Sequence, residues 1–349
     1  MKHLYLYLFF ILLIIMIFSL IYYSFSNNIF MIKDNNNNNN NNNNTNNNTN
    51  NNKTALITGG ARGIGKAYAE ILLENKYKVV ILDKLNALET ADELKNKFGV
   101  QNVLGIHCDI TDFNAYNKAF EEANRFSDDG IVDILILNAG ITHPLFYNTN
   151  EIINTNLLSP IYSTELYIKK ITNNLSQQSQ KPCQIIITGS LASFKPIDIA
   201  LGPVYDASKA GISQFVRSLK PIAKRFGFKI NALCPMTMVN TGLTKPLIKT
   251  YADKIGTQIF LNSEGRGGMM EPEDVAQGLI KIINNTSYNG DLITVDTGNN
   301  HYARLEPLDE FGAYDEYGVW DEDKSHITKI AVDTRLNNLL TNNVNIWTK

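Results

Sequence analysis

Tyr205 and Lys209 stand four residues apart in the run Tyr205-Asp206-Ala207-Ser208-Lys209. In a helix, positions i and i+4 share a face, so this spacing aims a phenol and an ammonium at one site. A free tyrosine titrates near about 10 and stays protonated at neutral pH, and a cation beside it makes the phenolate accessible. At about 4 Å and an effective dielectric near 20 the attraction is about 4 kcal/mol, comparable to about three pKa units before desolvation is subtracted. Such a pair is an acid/base. The same spacing also occurs on ordinary amphipathic helices, so the rest of the chain has to decide between the two readings.

A second group of residues has the chemistry of a phosphate cradle. Thr58-Gly59-Gly60-Ala61-Arg62-Gly63-Ile64-Gly65 follows an apolar β-branched run and opens a helical pattern from Lys66 to Asn75. In that strand-turn-helix setting glycines let the backbone turn tightly against a pyrophosphate, and the helix amino end offers free N–H groups and partial positive charge. Gly59, Arg62, Gly63, Ile64 and Gly65 are therefore candidate dinucleotide-binding residues. Asp83 closes the next strand pattern, where a carboxylate accepts hydrogen bonds from the adenosine ribose and repels a 2′-phosphate. NAD is accordingly expected over NADP, with Arg62 and Lys84 as the cations that argue the other way. Asp109, in His107-Cys108-Asp109-Ile110, either meets the adenine edge or caps the following helix. In Asn138-Ala139-Gly140, small residues would let the cofactor lie against the carboxyl ends of the strands. Asn in such a turn also has an ordinary structural role, and the lone loop residue His143 is read as incidental.

These residues need a scaffold, and the hydrophobic pattern supplies one. Strands are expected near Ala55 to Thr58, Lys78 to Asp83, Val103 to Cys108, Asp133 to Leu137, Gln184 to Thr188, Lys229 to Leu233 and Leu292 to Val295, with helical patterns between them. Strands alternating with helices predict an α/β fold with one Rossmann-type doubly wound parallel sheet of about seven strands, over residues 53–298. Leu4 to Tyr23 is an uncharged apolar run long enough to span a hydrocarbon core of roughly 30 Å. Residues 1–27 are thus expected to form a single-pass membrane anchor, since a signal-peptide core is shorter, roughly 7 to 15 residues. Asn35 to Asn52 is almost pure asparagine and cannot bury enough apolar surface to order itself, so residues 28–52 read as a disordered linker. Residues 299–349 read as a tail wrapped on the surface.

Of 349 residues, 44% are hydrophobic, the net charge is -2, and no basic run suggests a nucleic-acid partner. Cys108, Cys183 and Cys234 are widely spaced within apolar sequence. They read as buried free thiols in a domain facing a reducing compartment, with no metal site expected.

Taken together, the glycine turn, Asn138-Ala139-Gly140, the Ser190-Leu191-Ala192 run and Tyr205 to Lys209 resemble the short-chain dehydrogenase/reductase family over roughly residues 53–298. The resemblance implies a catalytic set: Asn156 holding a water in a proton relay, Ser190 bonding the substrate oxygen, Tyr205 as general acid/base, and Lys209 binding the nicotinamide ribose and lowering the tyrosine pKa. It implies interconversion of an alcohol and a ketone with NAD, and a homo-oligomer. Thr241 resembles the threonine that meets the nicotinamide carboxamide. The chain departs from the family pattern in three places: Ser190 to Tyr205 is long, which makes Ser193 a rival for the serine role; Met236 follows Pro235 where glycine is usual; and Ile197 to Gly202 is an insertion. In the variable segment Gly242 to Gly268, Leu243, Leu247, Ile248, Ile259, Phe260 and Leu261 suggest an apolar, lipid-like substrate or else helix core. Two alternatives remain: an NADP(H)-linked carbonyl reductase of sphingoid or steroid type, and a non-catalytic dinucleotide-binding module.

Overall fold

The β-branched runs form the expected strands because both of their faces are covered. In a computed structural model that describes residues 53–143, 148–174, 183–194, 202–236, 239–244, 270–296 and 302–305, these are β1 (Thr54–Thr58), β2 (Lys78–Asp83), β3 (Val103–His107), β4 (Ile134–Leu137), β5 (Cys183–Thr188), β6 (Phe228–Pro235) and β7 (Asp291–Val295). Every side chain of β1 and β4 is buried, the signature of a parallel sheet sandwiched between helices. The seven strands pair in parallel in the order 3-2-1-4-5-6-7.

Helices α1 (Gly63–Glu74), α2 (Ala87–Phe98) and α7 (Pro272–Asn284) bury their apolar stripes on one face through Tyr68, Leu94 and Leu279. On the other face lie α3 (Phe113–Phe126), α5 (Ser159–Asn174) and α6 (Pro203–Phe226), through Phe120, Tyr167 and Val216. Between β4 and α5 runs the short helix α4 (Thr149–Ile153), followed by a single π-helical turn, Asn154–Leu158. The sheet winds outward in both directions from β1 and β4, and that reversal opens a crevice at their carboxyl ends.

The sheet has one strand more than the pattern suggested. β8 (Tyr302–Leu305) pairs antiparallel with β7, so the sheet continues past residue 298 into the segment read as tail. Four residues are too few to register a period of two, and the strand covers what would otherwise be an open edge. The Leu4 to Tyr23 run, the asparagine tract, residues 195–201 and the 245–269 segment with its apolar candidates lie outside the described residues. Among the described residues no helix is long and apolar enough to cross a membrane.

Candidate active site

The glycine turn lines the crevice above β1. Gly59 and Gly63 hold φ of +65° and +54°, left-handed values that other residues adopt only with strain. Gly65 is required for a different reason: a Cβ there would lie 2.0 Å from the Gly59 carbonyl oxygen and 2.7 Å from Asn138 Nδ2. Asn138 closes the turn from the β4 side. Its N–H and that of Ala139 donate to Thr58 Oγ1 at 3.1 and 3.2 Å, and its side-chain amide donates to the Gly59 carbonyl at 3.0 Å. The Arg62 side chain does not cap α1, Ile64 packs on the core beneath, and Thr241 lies against the turn, with its Cγ2 3.2 Å from where a Gly63 Cβ would stand.

Asp83, buried at the end of β2, accepts from Ala61 N–H at 3.1 Å and Leu85 N–H at 3.0 Å, fastening the glycine turn to the next loop. Asp109 does not cap α3; Asp112 does, accepting from Asn114 and Ala115 N–H. Asp109 instead takes the N–H and hydroxyl of Thr111 at 2.9 and 2.7 Å and lies 3.8 Å from Lys84 Nζ. Burial pushes the Asp109 carboxyl up, but the Thr111 hydrogen bonds and the Lys84 and His107 charges outweigh it and hold it below the usual range. Lys84 also lies 3.9 Å from Glu151, which approaches His143 at 3.5 Å.

On the other side of the crevice α6 presents Tyr205 and Lys209, both buried. Ser190 hydrogen-bonds the Tyr205 phenol, and its Oγ accepts from Ala192 N–H at 3.2 Å. Lys209 Nζ donates to the Thr188 carbonyl at 2.7 Å and stands 5.8 Å from the Tyr205 ring centre. Ser193 Oγ, the rival serine, accepts from Ser190 N–H and donates to the Lys209 carbonyl, both at 3.2 Å. The π-helical turn carries Asn156, whose amide accepts from Ile141 N–H and donates to the Ile141 carbonyl, both at 2.9 Å, and donates to Ser208 Oγ at 3.2 Å. A Cβ on Gly140 would lie 3.5 Å from Asn156 Oδ1 and 3.8 Å from Lys209 Nζ, so Asn156, Lys209 and the β4 loop converge.

Burial dominates the ionisation of this pair. Burial pushes the Tyr205 phenol up to about 12, the Ser190 hydrogen bond opposes this, and Asp206 and Cys234 add to it. The same burial pushes Lys209 down to about 8. Spacing placed the two groups on one face but carried no information about the cost of removing both from water.

Sequence reasoning also missed two residues. Thr188, whose carbonyl holds Lys209, ends β5 two residues before Ser190, and that strand-end position was the available signal. Cys234 lies against Gly189, where a Cβ would stand 2.4 Å from its Sγ; burial pushes its thiol up to about 12 despite hydrogen bonds with Ser190 and Ser193 and the nearby Lys209 charge. All three cysteines are free and buried. Met236 continues the ladder, its N–H donating to the Val295 carbonyl at 2.9 Å.

A doubly wound sheet with a glycine turn at its reversal and a Ser-Tyr-Lys group beside it defines a class, and residues 53–252 match the family model described as short chain dehydrogenase. The chain belongs to the short-chain dehydrogenase/reductase family, and it is an oxidoreductase of the alcohol dehydrogenase/carbonyl reductase type. It is similar to 15-hydroxyprostaglandin dehydrogenase [NAD(+)] of Macaca fascicularis, with 34% identity over 259 residues, covering 70% of this chain and 91% of the relative. It is also similar to Carbonyl reductase family member 4 of Danio rerio, with 30% identity over 253 residues, 70% of this chain and 97% of the relative. A short-chain type dehydrogenase/reductase from Mycobacterium marinum shares the fold, with a TM-score of 0.60 at 22% identity over 70% of this chain and 94% of that one. The glycine turn, the start of α1 and the Asp83 carboxylate fit the nicotinamide dinucleotide that this family binds.

Proposed function

We propose that this protein is an NAD-linked dehydrogenase that interconverts a secondary alcohol and its ketone, with Asn156, Ser190, Tyr205 and Lys209 as the catalytic group. The observation that carries the reading is the buried Ser190-Tyr205-Lys209 cluster, set beside Gly140 and Asn156 at the mouth of the glycine-lined crevice. A bound nicotinamide dinucleotide supplies the hydride acceptor or donor. Ser190 orients the substrate oxygen toward the Tyr205 phenol. At neutral pH that phenol holds its proton and donates it to a carbonyl oxygen in the reducing direction. In the oxidising direction the site must first lose a proton, and Lys209, pushed down to about 8, gives one up most readily.

The sign of the pH dependence follows. We expect kcat/KM for alcohol oxidation to rise through an ionisation near about 8 and kcat/KM for ketone reduction to fall over the same interval. Parallel profiles in the two directions would contradict this proton inventory.

Asp83, beside the turn at Ala61, supports NAD over NADP, as does the name of the Macaca fascicularis relative. Removing its charge with Asp83→Asn is expected to shift the NADPH-to-NADH affinity ratio toward NADPH by on the order of tenfold, read by fluorescence titration of both nucleotides. An unchanged ratio would move discrimination elsewhere. The carbonyl reductase relative keeps an NADP(H)-linked reductase as the second reading, and the same titration separates them. The apolar residues of the 242–268 segment favour a lipid-like substrate, and the Leu4 to Tyr23 run favours a membrane tether. Buried free cysteines favour a catalytic domain in a reducing compartment, and the family favours a homo-oligomer. NAD reduction across a panel of hydroxy fatty acids, sterols and retinoids tests the substrate class, and turnover confined to short polar alcohols would sink it.

A further inference from the structure

Thr188 is where the two helical layers meet through the end of the sheet. From one layer, Tyr68 of α1 brings its buried hydroxyl 3.4 Å from Thr188 Oγ1; from the other, Lys209 of α6 donates to the Thr188 carbonyl at 2.7 Å. Between them, Thr188 Oγ1 donates to Asn138 Oδ1 at 3.2 Å, and Asn138 Nδ2 donates to the Gly59 and Thr58 carbonyls at 3.0 and 3.3 Å.

The direction of this chain follows from its donors. A carboxamide oxygen only accepts, so the single hydroxyl proton of Thr188 goes to Asn138, and Tyr68 is the donor to Thr188. That order determines which end of the Asn138 amide faces the glycine turn. Reversed, its oxygen would confront the Gly59 and Thr58 carbonyls, and its amino group would compete for a hydroxyl that could then no longer order it.

We propose that Tyr68 and Thr188 are positioning residues for the dinucleotide: their hydroxyls orient Asn138, which holds the Gly59 carbonyl and hence the turn, while the Thr188 backbone ties the same assembly to Lys209. The proposal rests on the reading of the crevice as a nicotinamide dinucleotide site. Neither hydroxyl touches the crevice chemistry directly; both act through Asn138. The competing account is that they only satisfy one another inside a buried layer, in which case removing them lowers thermal stability and leaves nucleotide binding alone.

The test compares the full-length protein with Thr188→Val, Thr188→Ser and Tyr68→Phe, by NADH fluorescence titration, KM for the dinucleotide against kcat, and melting temperature. Thr188→Val keeps the branched shape and removes the hydroxyl; it is expected to raise the NADH Kd and the dinucleotide KM by on the order of tenfold, with a smaller change in kcat. Thr188→Ser, which keeps the donor, is expected to restore both to within about twofold, and Tyr68→Phe to raise them about threefold. Wild-type NADH affinity in Thr188→Val, or serine failing to rescue it, overturns the proposal. If Thr188→Val does not fold, Tyr68→Phe decides, because it removes one oxygen and leaves the ring in place, and an unchanged NADH Kd in that variant counts against the proposal. Failure of the wild-type protein itself to bind NADH would instead remove the dinucleotide reading.

Discussion

Replacing Tyr205 by phenylalanine is expected to lower kcat/KM by about 10²- to 10⁴-fold in both directions while leaving NADH affinity within about twofold. The loss corresponds to roughly 3–5 kcal/mol of transition-state stabilisation, the range attributed to a positioned acid or base. The substitution removes one oxygen. The ring keeps its place on α6, Ser190 keeps the Ala192 N–H, and Lys209 keeps the Thr188 carbonyl, so the architecture around the missing hydroxyl is unchanged. Burial holds the phenol up to about 12, so it keeps its proton at neutral pH until a carbonyl oxygen arrives to take it. Steady-state turnover with NADH and a ketone, or NAD and an alcohol, measured beside the melting temperature, checks the expectation. Equal turnover by wild type and variant would remove Tyr205 from the chemistry.

The second large effect is expected at Gly65. A methyl group there would lie 2.0 Å from the Gly59 carbonyl oxygen, and neither side can yield: Gly59 N–H is bonded to the Leu82 carbonyl at 2.7 Å, and its carbonyl is held by Asn138. Gly65→Ala must pry the start of α1 away from the end of β1. Overpacking of this kind costs about 1–3 kcal/mol and lowers the melting temperature by roughly 2–12 °C. NADH affinity should fall further than stability does, by roughly 10- to 100-fold, because N–H groups directed at a charged phosphate lose their alignment together. Gly130→Ala is the control. Gly130 also has positive φ, +71°, but nothing lies within 4 Å of the added carbon, so a small stability cost with unchanged NADH binding is expected there. Comparable losses of NADH affinity in both variants would show that the turn is not specially constrained.

Much of the site was legible because parallel-sheet proteins write their topology into composition. Runs such as Ala55 to Ile57 and Val79 to Leu82 are apolar throughout because both faces are buried, and the glycines of the first turn stand where side chains would collide. Asp109 illustrates the limit. The sequence allowed it to cap the following helix, and the structure gives that cap to Asp112. Asn138 was equally ambiguous between cofactor contact and turn structure, and its bonds to Thr58 and Gly59 show that it builds the turn.

By itself the sequence determined the parallel sheet, the place of the glycine turn on it, and the shared helical face of Tyr205 and Lys209, since each follows from periodicity or from steric rules acting over a few residues. Only the tertiary structure decided the ionisation of that pair, the hydrogen bond of Ser190 to the phenol, and the Tyr68-Thr188-Asn138 chain. These depend on how far each group is withdrawn from water and on which distant segments supply its partners, and local spacing records neither.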